Sequence, residues 1–132
     1  MKIKNSIFEL PQYTETIAKV HSSEKLSVME AYRINRMVKK LNELNVEYSE
    51  LKQVVLDKLG KPGEEEGMFI IEPDNRPEFM EEMNVLLNIE HDLEMEQLAW
   101  PKKLKDGFSA ADIGVIDLFF NLEEFNPKEE KE

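Results

Sequence analysis

The sequence predicts an α+β fold, mostly α: a long-helix αα-hairpin with a small two-stranded sheet and a C-terminal helix. Three observations lead there. Residues 27–59 keep a helical apolar spacing between a capping signal and a glycine stop. Residues 89–96 alternate apolar and acidic side chains with the period of a strand. Residues 109–112 repeat the capping signal ahead of a second apolar run.

A first helix is expected from about Leu10 to His21, with Pro11 in its first turn. Ile7, Leu10, Tyr13, Ile17 and Val20 have helical spacing, and the polar run His21–Lys25 is the turn after it. Ser27-Val28-Met29-Glu30 reads as a capping box, in which the serine hydroxyl and the glutamate carboxylate satisfy each other's backbone N–H groups. The helix it opens should run to about Leu59, where Gly60, Pro62 and Gly63 stop it. At 1.5 Å per residue such a helix is ~48 Å long, more than the diameter of a compact globule of this size.

Ile34, Met37, Leu41, Leu44, Tyr48, Leu51 and Val55 follow steps of three and four and form a heptad seam. Tyr32, Val38, Val54 and Leu56 widen the stripe, which favours packing within the chain over self-association through the seam.

Met68–Ile71 is a candidate strand between Gly67 and Pro73. Asn75-Arg76-Pro77-Glu78 should open a helix to about Asn88, with Asn75 or Asp74 as cap and Pro77 in its first turn, that buries Phe79, Met80, Met83, Leu86 and Leu87. In Ile89–Glu96 the residues Ile89, His91, Leu93 and Met95 face one way, and Glu90, Asp92, Glu94 and Glu96 the other. This strand is expected to pair with Met68–Ile71. Pro101 to Gly107 form a loop, and Ser109–Asp112 cap a last helix from about Ala110 to Leu122. Ile113, Ile116, Leu118, Phe119 and Phe120 supply its buried side, and Gly114 suggests a close backbone approach or a tolerated defect. The 132 residues make one α-rich domain over residues 1–125, followed by a frayed acidic tail at 126–132.

The chain carries 17 Lys+Arg against 28 Asp+Glu, a net charge of −11, and no cysteine. Disulfides, thiolate metal sites and thiol nucleophiles are therefore excluded. The acid excess argues against direct binding of nucleic acid or of anionic membranes. The charge is divided: residues 1–62 hold eleven basic and eight acidic residues, whereas residues 63–132 hold six and twenty. Such an asymmetry means either an acidic partner-binding surface or two halves that attract each other within the fold. No targeting segment and no bilayer-spanning apolar run is visible, so a cytoplasmic or virion protein is expected.

No phosphate-binding glycine loop, dinucleotide fingerprint or nucleophile elbow occurs. His91-Asp92 resembles a metal-phosphohydrolase dyad, but alternation sends the two side chains to opposite faces, and the only other histidine is His21. His91 therefore reads as a half-buried sheet residue. No cofactor and no metal site is expected. Arg33, Arg36, Lys39 and Lys40 form a basic row that solubilises the long helix or meets the acidic half.

The order of elements, from Lys25-Leu26-Ser27-Val28-Met29-Glu30-Ala31-Tyr32-Arg33-Ile34 through the acidic strand to Phe108-Ser109-Ala110-Ala111-Asp112-Ile113, resembles a group of small uncharacterised proteins of tailed bacteriophages and prophages of Gram-positive bacteria. The resemblance covers most of the chain and brings no catalytic residues with it. It implies a phage context: a virion accessory, an assembly factor or a host-directed protein.

The expected function is a non-enzymatic protein–protein interaction module that docks a partner with a basic surface. Its candidate contact residues are Glu64, Glu65, Glu66, Glu90, Asp92, Glu94, Glu96 and Trp100. Two alternatives use the same carboxylates: an acidic nucleic-acid mimic that inhibits a nuclease or DNA-binding protein, and a metal-dependent enzyme built on the acidic cluster.

Overall fold

In the computed structural model, residues 1–122 are described; the expected tail at 126–132 and the expected domain boundary at 125 lie outside them. The chain opens with a short strand, β1 (Lys2–Lys4), and a 3-10 turn at Asn5–Glu9. Helix α1 (Tyr13–His21) and the long helix α2 (Val28–Leu59) then form the expected hairpin. Next come β2 (Gly60–Pro62), β3 (Phe69–Ile71), a 3-10 turn at Pro73–Asn75 and α3 (Arg76–Leu87). The chain continues through β4 (Glu90–Asp92), β5 (Leu98–Ala99), α4 (Ala110–Phe119) and β6 (Phe120–Asn121). The fold is α+β and mostly α, as expected.

The two capping boxes form as predicted. Ser27 Oγ accepts from Glu30 N at 3.2 Å while Glu30 accepts from Ser27 N at 2.9 Å. Ser109 and Asp112 repeat the exchange at 3.1 and 2.9 Å. The 32 residues of α2 give an axis of ~48 Å, long enough to carry two separate packing sites.

The first site is the main core. Ile34, Met37, Val38 and Leu41 of α2 meet Tyr13, Ile17 and Val20 of α1, Val115, Ile116 and Phe119 of α4, and Ile3, Leu93 and Leu104. The second lies further along α2, where Tyr48, Val55 and Leu59 pack on Met83 and Leu86 of α3. Phe8 touches both: its ring is stacked 5.9 Å from Tyr48 and set edge-on 5.5 Å from Tyr13. Five seam residues, Ile34, Met37, Leu41, Tyr48 and Val55, are thus buried by the chain's own elements, with Leu44 half-buried and Leu51 exposed.

Strand pairing departs from expectation. Among the described residues there are three two-stranded sheets, and Phe69–Ile71 does not pair with the acidic strand. It pairs antiparallel with β2, Lys61 opposite Ile70. Gly60 leaves α2 in extended geometry (φ −108°, ψ 172°), so the chain passes straight into a strand, and the neighbouring β3 closes a hairpin at less loop entropy than a partner beyond α3. Strand β4 pairs instead with β1, Ile3 opposite His91, an N-terminal strand too short to carry a periodic signal. The alternating run also ends early. Glu94 takes a left-handed φ of 56°, and its N–H donates to Asp92 Oδ1 at 2.8 Å, a local turn that leaves only Glu90–Asp92 as strand. A third, parallel pair joins Leu98 to Phe120 and draws the end of α4 into a strand rather than a helix to Leu122.

Smaller differences follow the same logic. Helix α1 begins three residues late, at Tyr13, because Leu10–Gln12 turn out of the 3-10 segment. Asn75 does not cap α3; its Nδ2 donates to the Leu59 carbonyl at 3.1 Å and ties the end of α2 instead. Met80, Ile113 and Leu118 are exposed, while Val115 and Asp112 are buried. A Cβ on Gly114 would meet nothing within 4 Å, so no backbone approaches it.

Candidate functional site

The predicted carboxylates fall into two groups. Glu90 and Asp92 lie on β4 beside β1 and are partly neutralised there. Lys2 Nζ is 3.6 Å from Glu90, and the Met1 amine is 3.7 Å from Asp92. The Glu94 N–H and, after it, these positive charges hold the Asp92 carboxyl below its ordinary pKa. Glu94 and Glu96 follow on the exposed loop and have no ion-pair partner among the described residues.

The second group, Glu64, Glu65 and Glu66, sits on the turn between β2 and β3. This turn is closed by Gly63 N to Met68 O at 2.8 Å and Met68 N to Glu65 O at 3.1 Å. Gly67 has φ 84°, a conformation that a Cβ would strain. All three glutamates are exposed and unpaired among the described residues. Beside them Met68 and Ile70 are 54% and 47% exposed.

The two groups are far apart. Lys40 on α2 donates to the Leu93 carbonyl at 2.8 Å, whereas the hairpin starts at Gly60. Twenty residues of helix place them roughly 30 Å apart along the α2 axis. The single docking face expected from the sequence therefore resolves into a hairpin tip and a β4 loop.

Trp100 belongs to neither. Its ring is 5.4 Å from Phe108 and 5.1 Å from Phe120, both edge-on, and its Nε1–H donates to Leu104 O at 2.6 Å. It is half-buried and closes the main core. His91 is half-buried too, with Nε2 2.9 Å from Asn5 Oδ1, and Asp92 points to the opposite, exposed side. Asn5 is buried and also donates to Leu86 O at 3.0 Å, joining the Asn5–Glu9 turn to α3 and β4.

Much of the charge asymmetry is spent within the fold. Among the described residues, Lys2, Lys19, Lys25, Lys58 and Lys61 of the basic half pair with Glu90, Asp112, Asp106, Glu78, Glu82 and Glu72 of the acidic half. The most buried of these carboxylates is Asp112, which has no solvent exposure. It accepts from Thr16 Oγ1 at 2.5 Å, Lys19 Nζ at 2.8 Å, Gln12 Nε2 at 2.9 Å and Ser109 N at 2.9 Å. Those donors, Lys19 first, hold its carboxyl far below the ordinary range. All its acceptor sites are filled, so it fastens α1 to α4 and offers nothing to a ligand. The sequence signal for it was an aspartate opening an otherwise apolar helix.

Among the described residues, no three or more His, Asp or Glu side chains are grouped to hold a metal ion. Nor is any helix among them long and apolar enough to cross a membrane. A shallow, open concavity lies along α2, lined by Asn42, Asn45, Val46, Ser49, Glu50 and Gln53. No protein-family model, curated protein or solved structure matches this chain.

Proposed function

We propose that the protein is a non-enzymatic protein–protein interaction module that docks a basic partner, with the β2–β3 turn as its principal contact. One observation carries this reading. Three exposed, unpaired carboxylates, Glu64, Glu65 and Glu66, sit beside exposed Met68 and Ile70 on a hairpin turn at the end of a long helix. Unpaired charge steers and orients a basic surface, and adjacent apolar side chains supply contact area once it arrives. Glu94 and Glu96 form a secondary acidic contact, whereas Glu90 and Asp92 must release Lys2 and the Met1 amine before they can serve. A phage role, as virion accessory, assembly or host-directed factor, is part of this proposal and rests on the order of elements.

The test is affinity capture with the wild type and a Glu64→Lys, Glu65→Lys, Glu66→Lys variant side by side. A basic protein retained by the wild type and lost from a variant of unchanged melting temperature is expected. The same bound set on both would overturn the reading.

A further inference from the structure

The outer face of α2 carries a second heptad row, distinct from the buried seam. Arg33, Arg36 and Lys40 occupy its first half at steps of three and four. Glu43, Glu47 and Glu50 continue the same steps in its second half. Met29 precedes the row and Val54 follows it, 54% and 62% exposed. Apart from Lys40, half-buried with its ammonium on the Leu93 carbonyl, the charged members are exposed. None of the six makes an ion pair among the described residues; Arg36 only lies over the Tyr32 ring, 5.8 Å from its centroid.

This row is self-complementary under a two-fold axis. Turning a second copy of α2 antiparallel about a point between Leu41 and Asn42 sets Arg33 opposite Glu50, Arg36 opposite Glu47 and Lys40 opposite Glu43. The same register sets exposed Met29 opposite exposed Val54 at each end of the row. Every position then meets opposite charge or an apolar partner. A parallel arrangement would set like charges together throughout, which disfavours it.

We propose that the outer face of α2 is an interface between two copies of this chain, paired antiparallel through Arg33–Glu50 and Arg36–Glu47 contacts. A two-fold interface must be complementary to itself, and this one is complementary in sign and in apolar ends. Its charged centre makes it a salt-sensitive association, because exposed ion pairs are screened beyond about 10 Å at 0.1 M salt. The interface does not depend on the hairpin turn, so it stands or falls apart from the docking proposal.

The test is sedimentation of the full chain over a concentration series at about 0.1 M salt, repeated at about 1 M. The acidic variant is Arg33→Glu with Arg36→Glu; the basic variant is Glu47→Arg with Glu50→Arg. The wild type should dimerise, more weakly at high salt, and each variant alone should dimerise about tenfold or more weakly. An equimolar mixture of the two variants restores every pair and should dimerise again. A chain carrying all four substitutions should do so alone, which covers the case where one variant fails to fold. A wild type that is monomeric up to millimolar concentration would overturn the proposal. So would variants that dimerise like the wild type, or a mixture and a four-fold variant that both stay monomeric.

Discussion

Lys19 and Asp112 are 93 positions apart in sequence and 2.8 Å apart in space. The lysine is partly exposed, at 37%, and the aspartate has no exposure. The pair joins α1 to α4 at the edge of the main core, and the same carboxylate caps α4. Asp112→Ala therefore removes one half of the α4 capping box and leaves the buried Thr16 hydroxyl without its acceptor. A loss of about 2–4 kcal/mol is expected in denaturant melts. Lys19→Met keeps the aliphatic stem and the three other donors, and should lower the melting temperature less.

The same carboxylate fixes the sign of the acid response. Its pKa is lowered in the folded chain by the Lys19, Thr16 and Ser109 hydrogen bonds. Its contribution is complete above the unfolded value of about 3.9 and is lost as pH falls from there toward the folded value. Glu30, Glu72 and Asp92 are lowered as well and add in the same direction. Thermal melts between about pH 5 and 2 should fall steeply for the wild type and less steeply for Asp112→Asn. Equal slopes would show that Asp112 is not the main contributor.

Phe8 is the link between the two packing sites on α2. Phe8→Ala should cost about 2–3 kcal/mol, below the range for a fully buried phenylalanine because the ring is half-exposed. It should also uncouple the α3 end of α2, seen as faster amide exchange around Tyr48–Leu59 than around Ile34–Leu41. Tyr48→Phe should act oppositely. The Tyr48 hydroxyl is buried and makes no well-formed hydrogen bond among the described residues; burial, and after it the charge and weak hydrogen bonding of the nearby Glu9 carboxylate, raise its pKa, so it stays protonated. Removing it should raise stability by up to about 1 kcal/mol.

Gly114 lies inside α4, exposed, with open space where a Cβ would sit. Gly114→Ala should stabilise the protein by about 0.5–1 kcal/mol through the unfolded state and helix propensity. A decrease in melting temperature would mean that the glycine answers a contact beyond the fold described here.

The helices were legible in the sequence because their signals are local. Ser27 with Glu30 and Ser109 with Asp112 name their own partners three residues away, and the seam from Ile34 to Val55 shows a periodicity that survives in the structure. The sheets were not, because strands of two or three residues take their identity from distant partners. Nothing near Lys2–Lys4 announces β4, and the alternation at 89–96 says nothing of the turn at Glu94. The candidate site inherited that error. Seven carboxylates and Trp100, read as one docking surface, became a hairpin tip, strand β4 with the loop after it, and a core tryptophan, once β3 paired with β2 and Trp100 met Phe120. The tie of Asp112 to α1 was hidden for the same reason, since a capping aspartate looks alike whether it also meets water or Thr16 and Lys19.

The most direct measurement is an amide chemical-shift titration of the isotopically labelled chain with the basic protein captured by the wild type. The docking account predicts shifts concentrated on Gly63–Ile70, abolished by Glu64→Lys, Glu65→Lys, Glu66→Lys. Shifts confined to β4, α1 or the outer face of α2, with the hairpin turn unmoved, would contradict it.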